Sequence, residues 1–215
     1  MNPRVTTPRS AVVGFSHKPV LVGEQTVLRP FTGDDAAGMA EIIEDPDVIR
    51  FTFEPSTDIT AERLRSWYGS RNDCEDRLDL AVTDRATGEL LGEVVLYDWD
   101  PRNRSCTFRT LIGPRGRGRG IGTEATRLIV GHGFDQLGLH RIALEVYGHN
   151  HRARRVYEKV GFVTEGVRRE AQLRNGEWTD EVLMSLLAPE WNTHRGHPRA
   201  PGAAQPSGAV SSTAR

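Results

Sequence analysis

The stretch with the clearest chemical potential is Pro114-Arg115-Gly116-Arg117-Gly118-Arg119-Gly120-Ile121-Gly122-Thr123-Glu124-Ala125. Glycine and arginine alternate and then give way to an apolar, helix-like run. Glycine lets a backbone turn tightly and approach a ligand with no Cβ in the way. A helix starting after such a turn aims unpaired N–H groups and its positive dipole end at whatever lies in front. That is an anion cradle, suited to phosphate or pyrophosphate. A glycine-rich surface turn with solvated arginines would carry the same letters.

Three phosphate chemistries compete for this loop. No Gly-Lys-Ser/Thr follows, so a Walker loop is excluded. Gly120-Ile121-Gly122-Thr123-Glu124-Ala125 matches the dinucleotide pattern GxGxxA. That pattern opens a run of βαβ units, whereas here a strand hairpin precedes it and a single crossover follows. Arg-Gly repeats also occur in disordered RNA-binding segments, but this stretch is short and has no interleaved aromatic residue.

A second constellation begins thirty residues on, at Asn150-His151-Arg152-Ala153-Arg154-Arg155-Val156-Tyr157-Glu158-Lys159-Val160-Gly161-Phe162. Asn150 suits a helix N-cap. Tyr157 offers a phenol that stays protonated at neutral pH and can donate, or an aromatic for the core. Glu145 lies 12 residues before Tyr157 on a strand whose Ile142, Leu144 and Val146 face the other way. It could accept a proton or simply pair with an arginine, and Glu93 is its rival. His132, His140, His149 and His151 lack metal-site spacing and read as surface or helix-end residues, with His149 a possible base. No metal is expected.

The elements that must position these groups read in a mixed order. A strand spans Gln25–Arg29 and a helix runs from Asp34 to about Ile43, stopped by Asp45-Pro46. A second helix covers about Thr60 to Tyr68 with Thr60 as cap. Strands at Leu78–Val82, Leu90–Tyr97 and Ser105–Ile112 follow. A helix occupies Thr123–Leu137, where Gly131 and Gly133 signal close packing or fraying. Then come the strand Arg141–Tyr147, a helix Asn150–Val160 closed by Gly161, and two strands at Phe162–Leu173 and Trp178–Leu187. The class is α/β: one mixed, mostly antiparallel sheet flanked by helices, with a parallel pair across the glycine-loop helix. The folded unit is expected at 19–191, between a flexible segment 1–18 and a disordered tail 192–215.

Composition sets the bounds. Charge is balanced, with 28 Lys+Arg against 29 Asp+Glu in 215 residues, so no field draws the chain to nucleic acid. Only Lys18 and Lys159 are lysines, which reads as GC-rich bacterial coding. Cys74 and Cys106 form no framework, and no run spans a membrane. A cytoplasmic protein is expected, monomeric or homodimeric.

The two motifs together resemble the GCN5-related N-acetyltransferases (GNAT). Arg117-Gly118-Arg119-Gly120-Ile121-Gly122 fits R/Q-x-x-G-x-G/A, and the second motif fits N-x-x-A-x-x-x-Y-x-K-x-G-F at matching spacing. Leu139-His140-Arg141-Ile142, Glu165-Gly166-Val167-Arg168 and the strand from Asp180 to Met184 are similar to the RimJ/RimL-like ribosomal-protein branch. The resemblance covers about Glu24 to Trp191 and is weakest before Leu78. It implies the acyl-CoA N-acyltransferase fold, its parallel pair splayed at the cofactor site. It implies acetyl-CoA as cosubstrate, with its pyrophosphate on Arg117, Gly118, Arg119, Gly120, Ile121, Gly122 and Thr123. Its pantetheine arm would lie along Leu111 and Ile112 and reach Asn150. Tyr157 would be the general acid, and Glu145, or else Glu93, the base. The acceptor would be a primary amine attacking directly in a ternary complex, with neither nucleic acid nor membrane as partner. A GNAT-fold acyl-CoA sensor without efficient turnover is the alternative.

Overall fold

A computed structural model describes residues 14–52, 60–174 and 176–195. The strands are β1 (Leu21–Val22), β2 (Thr26–Pro30), β3 (Leu78–Asp84), β4 (Leu90–Asp100), β5 (Ser105–Ile112), β6 (Arg141–Tyr147), β7 (Val163–Arg174) and β8 (Glu177–Leu187). The helices are α1 (Asp35–Ile43), α2 (Pro46–Phe51), α3 (Ala61–Ser70), α4 (Ile121–Asp135), α5 (His151–Val160) and α6 (Ala188–His194). One sheet runs in the order β1-β2-β3-β4-β5-β6-β8-β7, and only β5 and β6 pair in parallel. The expected α/β architecture is what is seen.

Alternation along the strands sends side chains to two cores. Leu80, Leu96, Phe108, Ile142 and Met184 join Ile121, Ile129 and Tyr157 on the α4–α5 face. Ala81 and Leu111 join Phe31, Met39, Ile42 and Tyr68 under α1 and α3. The parallel pairing is short: Ser105, Cys106 and Thr107 face Arg141, Ile142 and Ala143, and no pair follows. Beyond it β5 and β6 splay. The Phe108 ring fills the start of the wedge, meeting Tyr157 edge-on at 6.0 Å and Phe162 at 6.1 Å.

Several elements differ from the sequence expectation. Asp45-Pro46 ends α1 but also opens α2. Proline is tolerated at the first helical position, where its missing N–H costs nothing, and the Asp45 carboxylate accepts the Val48 N–H at 3.1 Å. The chain after Trp191 was expected to be disordered, yet α6 runs through His194. Trp191 is buried and stacks on Phe134 at 6.0 Å, which contributes about 2–3 kcal/mol. It fits because a Cβ on Gly131 would sit 2.9 Å from its ring. Close packing is therefore the reason for that glycine, and α4 does not fray there.

The opening segment is corrected in the same way. Phe15 is buried in the main core, and the Lys18 ammonium donates to the carbonyls of Phe15, Cys74 and Arg77, each at 2.6 Å. Residues 1–13 and 196–215 lie outside the described residues. His132 stands in the last turn of α4, as its helix-end reading has it, but is half-buried: its Nε2 has no hydrogen-bond partner among the described residues, and burial pushes its pKa down.

Candidate active site

The glycine loop sits where β5 ends and α4 begins. Gly118 and Gly120 hold φ of +74° and +86°, the left-handed region that a Cβ penalises. Gly120 is the N-cap of α4, and its carbonyl accepts from Thr123 and Glu124. The first N–H groups of α4, on Ile121 and Gly122, have no acceptor inside the helix and point outward. They face a cleft of about 520 Å³, which Ile112, Gly118, Gly120, Gly122 and Thr123 line on this side.

The loop arginines do not face that cleft as free cations. Arg117 donates to Ile112 O at 3.1 Å and pairs with Asp45 and Asp47, so it ties the loop to α2. Burial opposes ionisation of Asp45, but Arg117 and the Val48 N–H hold its carboxyl below the usual range. Arg119 pairs with Asp84 at 2.5 Å, and Arg115 pairs with Glu89. The Ile121 side chain is fully buried, so only its backbone N–H is left to the loop. One further expectation is displaced. Leu111 belongs to the α1–α3 core, and its backbone is turned away as well. The Gly113 N–H donates to Leu91 O across β4. Alternation then directs the backbone groups of Leu111 toward β4, and those of Thr110 and Ile112 toward the splayed gap.

The opposite wall was only half anticipated. Asn150 caps α5, its Oδ1 accepting the Ala153 N–H at 3.1 Å, and its side chain lines the cleft. Arg152, Arg155 and Lys159 line it too. Their i, i+3, i+7 spacing puts them on one face of α5, a signal that was present in the sequence. Val48, Phe51 and Thr52 close the cleft from α2.

A second cavity of about 270 Å³ adjoins the first, and Phe51, Thr52, Asn150 and Tyr157 line both. Tyr157 is buried, which raises its pKa and keeps the phenol protonated. Among the described residues its hydroxyl makes no hydrogen bond to protein. Around it stand Tyr97, Arg109, Glu145, Tyr147 and Glu181. Glu145 and Glu181 both pair with Arg168 at 2.6 Å. Two carboxylates share the Arg168 guanidinium, and the cavity's other cation, Arg109, is taken up by Glu93, so negative charge is in excess. Tyr97, Arg109 and Glu181 carry no local motif, since β4, β5 and β8 must align before they meet.

Glu93 lines neither cavity. It is buried under α3 and pairs with Arg109 at 2.9 Å, and burial raises its pKa. Among the described residues no cluster of His, Cys, Asp and Glu could hold a metal, and no helix could cross a membrane.

Residues 25–163 match the family model described as an acetyltransferase (GNAT) domain. The chain belongs to the GNAT family. It is similar to spermidine N(1)-acetyltransferase of Escherichia coli K12, with 27% identity over 74% of this chain and 84% of that protein. It is also similar to YdaF of Bacillus subtilis, provisionally named a ribosomal N-acetyltransferase, with 36% identity over 48% of this chain and 57% of that one. The solved spermidine N-acetyltransferase of Vibrio cholerae in complex with CoA and spermine superposes with a TM-score of 0.72. That likeness has 25% identity and covers 79% of this chain and 99% of that one. A GNAT N-acetyltransferase draws its acetyl group from acetyl-CoA. The outward amides of α4, the α5 basic stripe and the apolar side chains of Ile112, Val48 and Phe51 suit such a molecule's phosphates and arm.

Proposed function

We propose that this GNAT enzyme transfers acetyl to a primary amine by direct attack in a ternary complex. One observation carries the reading: a cleft suited to coenzyme A and a cavity with excess negative charge meet at the protonated phenol of Tyr157. Acetyl-CoA supplies the activated thioester carbonyl. The amides from Gly118 to Thr123 hold diphosphate, helped by Arg155 and Lys159, while the Arg117 and Arg119 side chains brace the loop. The backbone of Thr110 and the N–H of Ile112, whose carbonyl is taken by Arg117, orient the arm between the splayed strands together with the Asn150 amide. Tyr157 donates a proton to the departing sulfur. Glu145 faces the same cavity and accepts the proton that the amine loses. Glu93 acts only by fixing Arg109.

Relatives named as spermidine and ribosomal acetyltransferases support an amine as the acceptor. The test is coenzyme A thiol release across small amines, polyamines and peptide N-termini, crossed with acetyl-, propionyl- and succinyl-CoA. Turnover with at least one amine is expected. Tight acetyl-CoA binding with no turnover would replace this reading with that of an acyl-CoA sensor.

A further inference from the structure

A third cavity, of about 1000 Å³, lies on the far side of Tyr147 and His149. Its walls come from α2, the β6–α5 connection, α5 and the β7–β8 hairpin. Its basic groups among the described residues are Arg50, Arg154, Arg174 and His149, and its acidic groups are Glu177 and Asp180. Asp180 is engaged, accepting the Glu170 N–H at 2.8 Å. The cations are poorly neutralised. Among the described residues the buried Arg154 Nε has no hydrogen-bond partner, and the pairing of Arg154 with Glu158 stretches to 4.0 Å. Arg174 gives one N–H to Ile49 O at 2.7 Å and lies 5.5 Å from the Tyr147 ring. Arg50 lies 5.2 Å from the Phe51 ring.

This basic cavity shares a wall with the reaction cavity. His149 stacks on Tyr147 at 5.8 Å and 9°, and meets the Phe51 ring tilted by 34° at 5.4 Å. Phe51 and Tyr147 also line the cavity of Tyr157. Burial, then Arg50 and Arg174, push the His149 pKa down, so the imidazole already feels both guanidiniums. Charge therefore changes sign across one layer of aromatic rings. Negative charge exceeds positive at Glu145, Glu181 and Arg168, and positive exceeds negative at Arg50, Arg154 and Arg174.

We propose that the basic cavity receives an anionic group, a carboxylate or a phosphate, carried by the amine acceptor itself. The acceptor is then zwitterionic, with its amine at the Glu145 side and its oxyanion among the arginines, whose planar forks match either anion. A polyamine carries positive charge at both ends and fits this pair of cavities poorly. The proposal rests on the N-acetyltransferase reading and goes beyond it by naming the acceptor's chemistry.

Matched acceptors test it: a dipeptide against its C-terminal amide, phosphoethanolamine against ethanolamine, and spermidine. The anionic member of at least one pair is expected to show about tenfold higher kcat/KM, the difference lying in KM. The pair that responds identifies the anion. Arg50→Ala and Arg154→Gln are each expected to shrink that preference about three- to tenfold. No preference in either pair, or a preference that both variants leave intact, overturns the proposal. If no amine releases thiol, the N-acetyltransferase reading fails instead. The acetylated dipeptide and its amide are then titrated by calorimetry into CoA-loaded protein, where equal affinity overturns the anion site on its own.

Discussion

The two halves of the site are built from different material. The cofactor side is mainly backbone: the amides of the Gly118–Thr123 loop, the open edge at Thr110 and the Ile112 N–H, and a helix N-terminus. Its pieces are contiguous in the chain or thirty residues apart. The acceptor side is mainly side chains, brought from α2, α5, β4, β5, β6, β7 and β8. A backbone-built site needs a shape that glycine permits, and it tolerates changes in the letters around it. A site of converging side chains can alter its substrate by one exchange while its fold stays intact. Within this chain the backbone-built chemistry and the side-chain chemistry therefore lie on opposite sides of Tyr157.

The comparison breaks most sharply at Gly120. Gly120→Glu places a carboxylate at the N-terminus of α4, on a residue whose φ is +86°. The strain costs about 1–2 kcal/mol, and the new charge competes for the anion seat. Coenzyme A affinity should fall on the order of a hundredfold or more by calorimetry. Gly120→Ala carries the strain without the charge and should lose far less. Equal losses would mean that loop shape, not anion binding, is what Gly120 serves.

Tyr157 belongs to both halves, so its loss should appear in turnover rather than in either binding step. Tyr157→Phe keeps the ring against Phe108 and Phe162. The expected result is a fall of about a hundredfold in kcat with both KM values nearly unchanged. A full-speed variant would reduce Tyr157 to a packing residue.

Legibility in the sequence follows the same division. Ser105–Ile112 and Arg141–Tyr147 coincide with the observed strands, because β-branched and alternating residues sit between clear turn signals. The loop and Asn150 were legible because glycine and capping residues act locally. The roles of Arg117 and Arg119 were not, since their partners Asp45 and Asp84 lie 72 and 35 residues away. Glu93 and Glu145 both looked plausible as bases. Only strand register shows that one lies under α3 and the other faces Tyr157. α2 hid behind a proline that both ends one helix and begins the next, and α6 behind a tail rich in helix breakers.

Smaller changes separate attraction from chemistry on the acceptor side. Glu145→Gln and Glu181→Gln each remove one of the two carboxylates around Arg168. Both should raise the amine KM about three- to tenfold through lost attraction. Only Glu145→Gln should also depress kcat, by about tenfold or more, if Glu145 takes the proton. Matching kcat values for the two variants would make both residues electrostatic supports and leave proton removal to another group.

The smallest expected effect concerns the arm that carries the acceptor side. Glu165 of β7 accepts from Arg141 of β6 at 2.6 Å and from Ser185 of β8 at 2.7 Å, clamping three strands. The Arg141 guanidinium, with help from Ser185, holds its carboxyl at about 2, against an ordinary value of 4.5. A depressed carboxyl contributes stability that is complete above the unfolded value and lost as pH falls through the folded one. The contribution should therefore be full above about pH 5 and drain away between about 4.5 and 2. Both partners are more than a third exposed, so solvent screening limits the clamp to about 0.5 kcal/mol. Urea midpoints of the native protein and Glu165→Gln should differ slightly at pH 7, draw closer through pH 3 and converge only at about pH 2. Coenzyme A affinity at pH 7 should be equal in the two proteins, because nothing in the backbone-built half depends on this clamp. A gap that stays undiminished from pH 7 down to pH 2 would show that Glu165 stabilises the arm by packing rather than by charge.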